Sequence, residues 1–212
     1  MFYLKFKRFY DFFLALFGLL LLSPIYLIII ISIKIDSKGP ILFKQKRVGK
    51  NKVHFNIYKF RTMRIDTPAN TPTHMLENPE QWITKVGKFL RKTSLDELPQ
   101  LINILKGNMS FVGPRPALWN QYDLIEERDK YGVHTLLPGI TGWAQVNGRD
   151  KLLITDKAKL DGEYLKNLDL WTDIKLVIKT FIVVFKSEGV VEGGTGKIKK
   201  DESENEEKHL DN

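Results

Sequence analysis

The stretch FFLALFGLLLLSPIYLIIIISI, residues 12–33, carries no charged residue along its whole length. An apolar helix of roughly 20 residues is long enough to cross a bilayer. The stretch is too long for a signal peptide and lacks a small-residue cleavage site. A buried helix of a soluble protein is a less favoured alternative, since such a helix needs a core that hides every side. The stretch therefore predicts a helix in the membrane.

Two features of this region favour a bent helix over a straight crossing. Ser23-Pro24 stands in the middle of the stretch, and we expect a kink there because proline removes a backbone donor and clashes with the preceding turn. Basic residues lie on both flanks: Lys5, Lys7, Arg8, Lys34, Lys38, Lys44, Lys46 and Arg47. A single crossing normally has a one-sided excess of Lys and Arg. The sequence predicts a re-entrant helix that enters and leaves on the same face.

The composition limits the classes of partner. The formal net charge is +8 over 212 residues, and the absence of cysteine excludes disulfides and cysteine-based metal sites. Residues 199–212 have a net charge of −3, and removing this from the total of +8 leaves +11 on residues 1–198. Such a basic body attracts nucleic acid, lipid headgroups or phosphorylated small molecules. The apolar stretch and the lack of a nucleic-acid motif argue against a nucleic-acid binder.

Beyond the apolar stretch, the pattern predicts short strands and several helices. Residues 39–63 alternate apolar and polar side chains around a glycine and indicate short strands. FVGPRP at 111–116 is expected to be extended, and LPGITGWAQVNGR at 137–149 to be a loop with a short strand. Residues 64–79 are rich in Pro, Thr and Asn and predict a surface loop. Helices are expected at 84–91, 97–106, 118–131, 156–167 and 172–186.

The last of these helices has an apolar face beside a stripe of lysines. Lys175, Lys179 and Lys186 are spaced by four and seven residues and fall near one line of the helix. This arrangement suits packing on a membrane surface, and it equally suits a core helix with one solvated edge. From residue 189 onward, Gly, Lys and acidic residues dominate and predict a disordered tail.

The stretch RKTSLDELPQL at 91–101 holds two candidate catalytic residues, Asp96 and Glu97. Because Pro99 is tolerated only in the first turn of a helix, we expect a helix to begin near Asp96, capped by Asp96 or Ser94. Carboxylates at the positive end of a helix dipole stay ionised and can act as a nucleophile or as a Mg²⁺ ligand. The alternative is that both acids only cap the helix, which is the more common role.

Several cations accompany this acidic pair. Arg115 lies between two prolines, which stiffens its backbone and suits a bidentate grip on phosphate. Lys59 and Arg61 lie on one side of an extended stretch. Arg91 precedes the acids, and Arg149 follows a glycine-containing loop. Each cation taken alone is more often a solvated surface charge, but together with two acids they resemble a phosphate-rich site.

Five segments occur in an order that is typical of one family. They are SPIYLI, IYKFRTM, ITKVGKFLRKTSLDELPQLINILKGNMSFVGPRP, LPGITGWAQVNGR and YLKNLDLWTDIKLVIKT. In these segments the chain resembles the bacterial sugar transferase family, the small monotopic phosphoglycosyl transferases. We expect a compact member, without the multi-span N-terminal region of larger relatives. One departure is Leu137, where the family usually has arginine before Pro-Gly-Ile-Thr-Gly, and substrate preference is where we expect its effect.

The resemblance implies a reaction and roles for individual residues. Such enzymes move a sugar-1-phosphate from a UDP-sugar to undecaprenyl phosphate with release of UMP, and so initiate capsule, exopolysaccharide, O-antigen or glycoprotein glycan assembly. It implies that Asp96 attacks the β-phosphate to form a covalent aspartyl-phosphosugar intermediate, and that Glu97 holds a Mg²⁺ cofactor. Substrate-binding positions of the family are matched by Lys59, Arg91, Arg115, Arg149 and Asp173, with Asp161 as a further match.

Residues and resemblance together predict an α/β (α+β) fold, a helix-rich single domain with an N-terminal kinked re-entrant membrane helix and short β-strands. The expected parts are a re-entrant anchor at 1–36, a cytoplasmic catalytic domain with interfacial amphipathic helices at 37–190, and a disordered acidic tail at 191–212.

The predicted partners are a UDP-sugar, undecaprenyl phosphate and membrane lipids, with no nucleic acid. The predicted location is the cytoplasmic face of the bacterial inner membrane, as a monotopic protein. The sugar, the glycan pathway and the oligomeric state stay open, with a homodimer as one alternative. A non-catalytic, membrane-tethered binding or regulatory module is the alternative to an enzyme.

Overall fold

The computed structural model describes residues 2–67, 79–148 and 151–185. Most of the predicted loop at 64–79, the candidate residue Arg149 and the predicted tail at 191–212 lie outside the described residues. Within them the chain is helix-rich with short strands, a mixed α/β architecture, as predicted. The helices are α1 (Phe2–Leu21), α2 (Ser23–Asp36), α3 (Lys85–Lys92), α4 (Gln100–Leu105), α5 (Tyr122–Asp129), α6 (Trp143–Val146), α7 (Ile154–Lys166) and α8 (Leu170–Phe185). The strands are β1 (Leu42–Val48), β2 (His54–Phe60), β3 (Ser110–Val112) and β4 (Gly139–Thr141).

The apolar stretch forms two helices, α1 and α2, which meet at Ser23-Pro24. Their axes differ by 62°, so the predicted kink is confirmed. The amide that would bond the carbonyl of Leu20 is missing at Pro24, and the Ser23 hydroxyl donates to that carbonyl instead at 2.8 Å. Among the described residues no single helix has the length and apolar content to cross a membrane, whereas this bent pair has both when its two helices are taken together.

The strands form two small sheets. β1 and β2 pair antiparallel as a hairpin, with Leu42 opposite Phe60 and Val48 opposite His54. β3 and β4 pair parallel, with Ser110 opposite Gly139. A Cβ at Gly139 would lie 2.1 Å from the backbone nitrogen of Gly113, so only glycine lets the two segments approach this closely. The strands predicted in 39–63 and the short strand predicted within 137–149 are therefore confirmed, and the segment expected to be extended at 111–116 begins in β3.

Most predicted helices are present, with shifted ends. The Thr84 side chain caps α3 by accepting from the backbone N–H of Gly87 at 2.9 Å, so α3 matches the prediction at 84–91. The predicted helix at 97–106 is shorter, because α4 begins only at Gln100, after a 3-10 turn at Leu95–Glu97. The short helix α6 was predicted as loop.

The bent helix pair is packed against the rest of the protein. One apolar cluster joins Ala15 of α1 to Leu101 and Ile104 of α4, together with Ile57 of β2. A second cluster joins Ile29 and Ile33 of α2 to residues of β2 and α3: Phe60 and Leu90. The other side of the pair exposes large apolar side chains, including Phe9, Phe13, Phe17, Leu20, Leu27 and Ile28. Both helices therefore pack on the domain by one face and present an apolar surface on the other.

Asp173 of α8 ties the beginning of α1 to the C-terminal helices. Its Oδ2 accepts from the hydroxyls of Tyr3 at 2.6 Å and Tyr10 at 2.7 Å and from Lys7 Nζ. Its Oδ1 accepts from the hydroxyl of Tyr164 in α7 at 2.6 Å. Asp173 is 3% exposed. All four donors therefore share one buried carboxylate as their acceptor. This network joins α1, α7 and α8.

Replacing Asp173 with Asn is expected to lower the free energy of unfolding by about 3 kcal/mol, because the buried Lys7 loses its direct ion-pair partner. Asp129→Asn is the matched control, since Asp129 and its partner Lys52 form an exposed ion pair with little effect on stability. Thermal unfolding of the detergent-solubilised protein measures both variants. Equal unfolding midpoints for the two would show that the Asp173 network does not hold the helices together.

Candidate active site

Asp96 and Glu97 lie in the 3-10 turn between α3 and α4. Ser94, just before the turn, has a left-handed backbone with a φ of 56°, which redirects the chain after α3. The helix that follows has Pro99 as its N-cap residue, and no side chain caps it. The prediction that Asp96 or Ser94 caps this helix is therefore wrong. The two carboxylates instead turn toward cations from other elements.

Lys59 of β2 joins the two acids. Its Nζ lies 2.7 Å from Glu97 Oε1 and 3.7 Å from Asp96 Oδ2. Glu97 Oε1 also accepts from Arg115 Nη2 at 3.1 Å, which brings the loop after β3 to the same point. Asp96 is 8% exposed and Glu97 is 9% exposed. Three separated parts of the sequence thus meet at one largely buried ion-pair cluster.

The electrostatics of Asp96 differ from the sequence-based prediction of a carboxylate kept ionised by a helix dipole. Burial raises the pKa of the Asp96 carboxyl above its usual value. The charge of Lys59 is the main opposing influence, Glu97 raises this pKa further, and Arg91 and Arg115 lower it. The three cations therefore oppose the loss of charge that burial of this acid favours.

Arg91 borders the same cluster from the last turn of α3. Its Nε donates to the Thr62 hydroxyl at 2.9 Å, which orients the guanidinium. Together with Lys59 and Arg115, Arg91 completes a set of three cations around the carboxylates of Asp96 and Glu97. Such a net positive, largely buried cluster suits an anionic ligand with several phosphate oxygens.

Other candidate residues have different partners. Arg61, next to Lys59 in the predicted cation set, donates to the backbone carbonyls of Ser37 and Lys38. Asp173 belongs to the α1 network described above, and Asp161 pairs with Arg128. The contacts of Asp161 and Asp173 are thus with other protein groups, and a role for either in binding substrate stays a prediction.

The cluster lies directly beside the bent helix pair. The hydroxyl of Tyr26 in α2 donates to the carbonyl of Leu98, the residue after Glu97, at 2.7 Å. The Tyr26 ring packs edge-on against Phe60, the residue after Lys59, with centroids 5.4 Å apart. Leu95 and Leu98 pack against the same apolar cluster as α2. The anion-attracting site and the exposed apolar surface are therefore parts of one unit.

Sequence reasoning missed several residues that support the site. Arg128 and Arg47 bind the backbone of the loop that carries Arg115. Asn103 of α4 accepts from the backbone N–H of Tyr58 at 3.0 Å and donates to the carbonyl of Asn56 at 2.8 Å, which holds β2 beside α4. Arginine in a polar helix and asparagine in an apolar one give no local signal of these long-range contacts.

The donor set is compatible with Mg²⁺. No group of three or more His, Cys, Asp or Glu side chains that could hold a metal occurs among residues 2–67, 79–148 and 151–185. Mg²⁺ is commonly held by one or two carboxylates together with substrate phosphates rather than by a complete protein cage. Asp96 and Glu97 provide such a pair of hard oxygen ligands.

Comparisons with known proteins identify the family to which the chain is similar. The family model of the bacterial sugar transferases matches residues 2–187. The chain is 43% identical over 187 residues to the UDP-glucose:undecaprenyl-phosphate glucose-1-phosphate transferase of Escherichia coli strain K12, covering 85% of this chain and 39% of that protein. It is 37% identical over 188 residues to the UDP-N-acetylgalactosamine-undecaprenyl-phosphate N-acetylgalactosaminephosphotransferase of Aeromonas hydrophila, covering 86% of this chain and 44% of that protein.

A relative of similar length also matches. The sugar transferase EpsL of Bacillus subtilis strain 168 is 41% identical over 184 residues, covering 87% of this chain and 89% of that protein. The chain thus spans less than half of the first two relatives and most of the third. From the family match and these identities, the chain belongs to the bacterial sugar transferase family.

Proposed function

We propose that the protein transfers a sugar-1-phosphate from a UDP-sugar to undecaprenyl phosphate and releases UMP. The observation that carries this proposal is the buried Asp96–Glu97 pair, surrounded by Lys59, Arg91 and Arg115, beside an apolar bent helix pair. A nucleoside diphosphate and a lipid phosphate are both anionic, and this site combines cations with access to an apolar surface. Two relatives are named as transferases that join these two substrate classes.

Asp96 is the proposed nucleophile. One carboxylate oxygen of Asp96 forms a bond to the β-phosphorus, and the bond from that phosphorus to the bridging oxygen breaks, so UMP leaves with the bridging oxygen. An oxygen of undecaprenyl phosphate then attacks the same phosphorus, and the bond to Asp96 breaks to restore the carboxylate. Dividing the transfer in this way means that two large substrates need not be bound together.

The cations have distinct tasks in this proposal. Lys59 favours the ionised form of Asp96, which the nucleophile requires. Arg91 and Arg115, which both act electrostatically on Asp96, neutralise charge that builds up on the phosphoryl oxygens during transfer. Glu97, with Asp96, would hold Mg²⁺, which when bound supplies further neutralisation of the diphosphate.

A direct test incubates the full-length protein in lipid nanodiscs with Mg²⁺, undecaprenyl phosphate and either UDP-glucose or UDP-N-acetylgalactosamine, the sugars in the names of the relatives. Nucleotide products are separated by chromatography. UMP release with a matching amount of lipid-linked sugar phosphate is expected for the correct sugar. Release of UDP would indicate glycosyl transfer and would overturn the proposed chemistry.

The bent helix pair is proposed to be re-entrant on the cytoplasmic face, in a monotopic protein. Its apolar surface requires lipid, since an exposed apolar area of this extent is unfavourable in water. Basic residues on both flanks favour an entry and an exit on one side. The apolar stripe of α8, which exposes Trp171, Ile178 and Phe181, would lie along the same membrane surface.

Replacing Pro24 with Leu is expected to straighten the pair and to move the N-terminus across the membrane, because a continuous helix over α1 and α2 is longer than the bilayer is thick. The chain has no cysteine, so single cysteines at positions 5 and 38 can report topology. A membrane-impermeant maleimide should label neither position in spheroplasts of the parent protein. In the Pro24→Leu variant it should label position 5.

Pro40→Leu is the matched control, since Pro40 lies in the loop after α2 and outside both helices. This control should keep both positions protected. Labelling of position 5 in the parent protein, or continued protection in the Pro24→Leu variant, would contradict the re-entrant arrangement.

A further inference from the structure

The loop that carries Arg115 is held by two other arginines through neighbouring carbonyl groups. Arg128 Nη1 of α5 donates to the backbone carbonyl of Arg115 at 2.9 Å. Arg47 Nη1 of β1 donates to the carbonyl of Pro116, the next residue, at 3.0 Å. The two contacts come from separate elements and fix consecutive peptide groups, so they define both the position and the orientation of this segment.

Arg128 is itself fixed by a buried carboxylate. Its Nε and Nη2 donate to Asp161 Oδ2 at 2.9 Å and 2.6 Å. Arg128 is 4% exposed and Asp161 is 1% exposed. One guanidinium thus spans Asp161 of α7 and the carbonyl of Arg115 with separate nitrogen donors in one plane, a geometry that a lysine ammonium does not reproduce because all its donors are on one nitrogen.

Arg47 is held in a comparable way from the hairpin. Its Nη2 donates to the side chain of Gln45 at 2.6 Å, and its Nε is shielded from solvent. Burial lowers the pKa of Arg47 to about 10, and the nearby charge of Arg115 contributes to that lowering. The backbone of Val48 also bonds that of Ala117, which joins β1 to the same loop.

Arg47 and Arg115 carry like charges, and they lie close enough for Arg115 to lower the pKa of Arg47. Because buried ionic groups are often no better for stability than apolar residues of similar size, stability alone does not explain this arrangement of arginines. Arg115, the residue at the end of this chain of contacts, meets Glu97 at 3.1 Å. The contacts thus run from Asp161 through Arg128 and the Arg115 backbone to the candidate catalytic pair.

We propose that Arg128 and Arg47 are positioning residues that hold the Arg115 guanidinium where the diphosphate of the nucleotide sugar binds. Asp161 acts through Arg128. This inference rests on the proposed function, because it takes Arg115 as a phosphate contact. It gives Asp161, which the resemblance matches to a polar position of the active-site region, an indirect role.

A double-mutant cycle tests the proposal by binding of UDP. The full-length protein in nanodiscs is titrated with UDP and Mg²⁺ by calorimetry, as the parent and as Arg115→Ala, Arg128→Lys and the combined variant. Arg128→Lys should raise the Kd for UDP about tenfold, the effect of one lost charge-assisted hydrogen bond. In the Arg115→Ala background the same change should raise the Kd less than about twofold, because the residue that Arg128 positions is absent.

Control measurements separate positioning from folding. Lys130→Arg changes an exposed side chain at the end of the same helix and should leave the Kd unchanged. Arg47→Lys provides a second positioning variant and should show the same dependence on Arg115 as Arg128→Lys. Thermal unfolding midpoints identify any variant that is simply less stable, and a loss of stability alone would weaken UDP binding equally in both backgrounds.

The outcomes distinguish this inference from the proposed function. Equal effects of Arg128→Lys in the two backgrounds would overturn the positioning role while leaving the proposed reaction intact. Tight UDP binding with the expected coupling, but without UMP release from UDP-sugars, would overturn the proposed reaction alone. Absence of UDP binding by the parent protein would overturn both.

Discussion

Replacing Asp96 with Asn should reduce UMP release by about 10³-fold or more, because the variant lacks the proposed nucleophile. The amide is nearly the same size as the carboxyl, and Lys59 still has Glu97 as its closer partner, so the fold and membrane association should be retained. The measurement is the initial rate of UMP release in nanodiscs at saturating UDP-sugar. The unfolding midpoint of the same samples reports the integrity of the fold.

Asp129→Asn is the control for this comparison, because it makes the same chemical change at an exposed acid. It should keep the rate of the parent protein. An Asp96→Asn variant that releases UMP within tenfold of the parent rate would contradict the nucleophile assignment. It would favour the alternative of a membrane-tethered binding or regulatory module, in which the acids have no chemical role.

Replacing Lys59 with Met should lower kcat/KM for the UDP-sugar by about 10²-fold, the size of effect seen when one charge-stabilising donor is removed from an active site. Two buried carboxylates then lose the cation that lies between them. Lys59→Arg keeps the charge and should retain part of the activity. The rates of all three proteins are compared at the same pH and Mg²⁺ concentration.

The pH dependence of the Lys59→Met variant gives a second readout. Burial raises the pKa of Asp96, and Lys59 is the main influence that opposes this rise. The nucleophile must be ionised, so activity is present above this pKa and is lost as the pH falls through it. Removing Lys59 raises the pKa further, and the acidic limb of the kcat/KM profile should therefore move to higher pH. If the acidic limb of the variant lies at the same pH as that of the parent protein, Asp96 does not control it.

The sequence predicts best what depends on local chemistry. The kink at Pro24 follows from one missing amide, and the hairpin follows from alternating side chains, so both could be identified without a structure. The site residues Lys59, Arg91 and Arg115 were identified through the resemblance and through charge, and the structure brings all three to the acidic pair. Which side chains meet across long sequence distances is not encoded in local pattern.

The misplaced helix start has a specific cause. Pro99 was expected in the first turn of a helix that already contained Asp96, but the left-handed Ser94 starts a separate 3-10 turn. The helix α6 was missed because three glycines and a proline in 137–149 hide a single turn of helix. Tertiary contacts override weak local signals in both places.

The remaining differences between the sequence-based predictions and the structure involve buried charged residues. The resemblance matches Asp173 to a substrate-binding position, yet in the structure its carboxylate accepts from four donors, three of them on α1. Arg128 reads as part of a solvated helix face, yet its partner Asp161 is 33 residues away along the chain. A single sequence contains no pairing information over such a separation.

Covalent transfer through Asp96 is tested directly by the mass of the intact protein after reaction with UDP-sugar and Mg²⁺ in the absence of undecaprenyl phosphate. We expect an added mass equal to one sugar phosphate less one water, located by peptide mapping on Asp96 and lost when undecaprenyl phosphate is added. The Asp96→Asn variant should show no added mass. An unmodified parent protein that nevertheless releases UMP and forms lipid-linked sugar phosphate would contradict covalent transfer through Asp96.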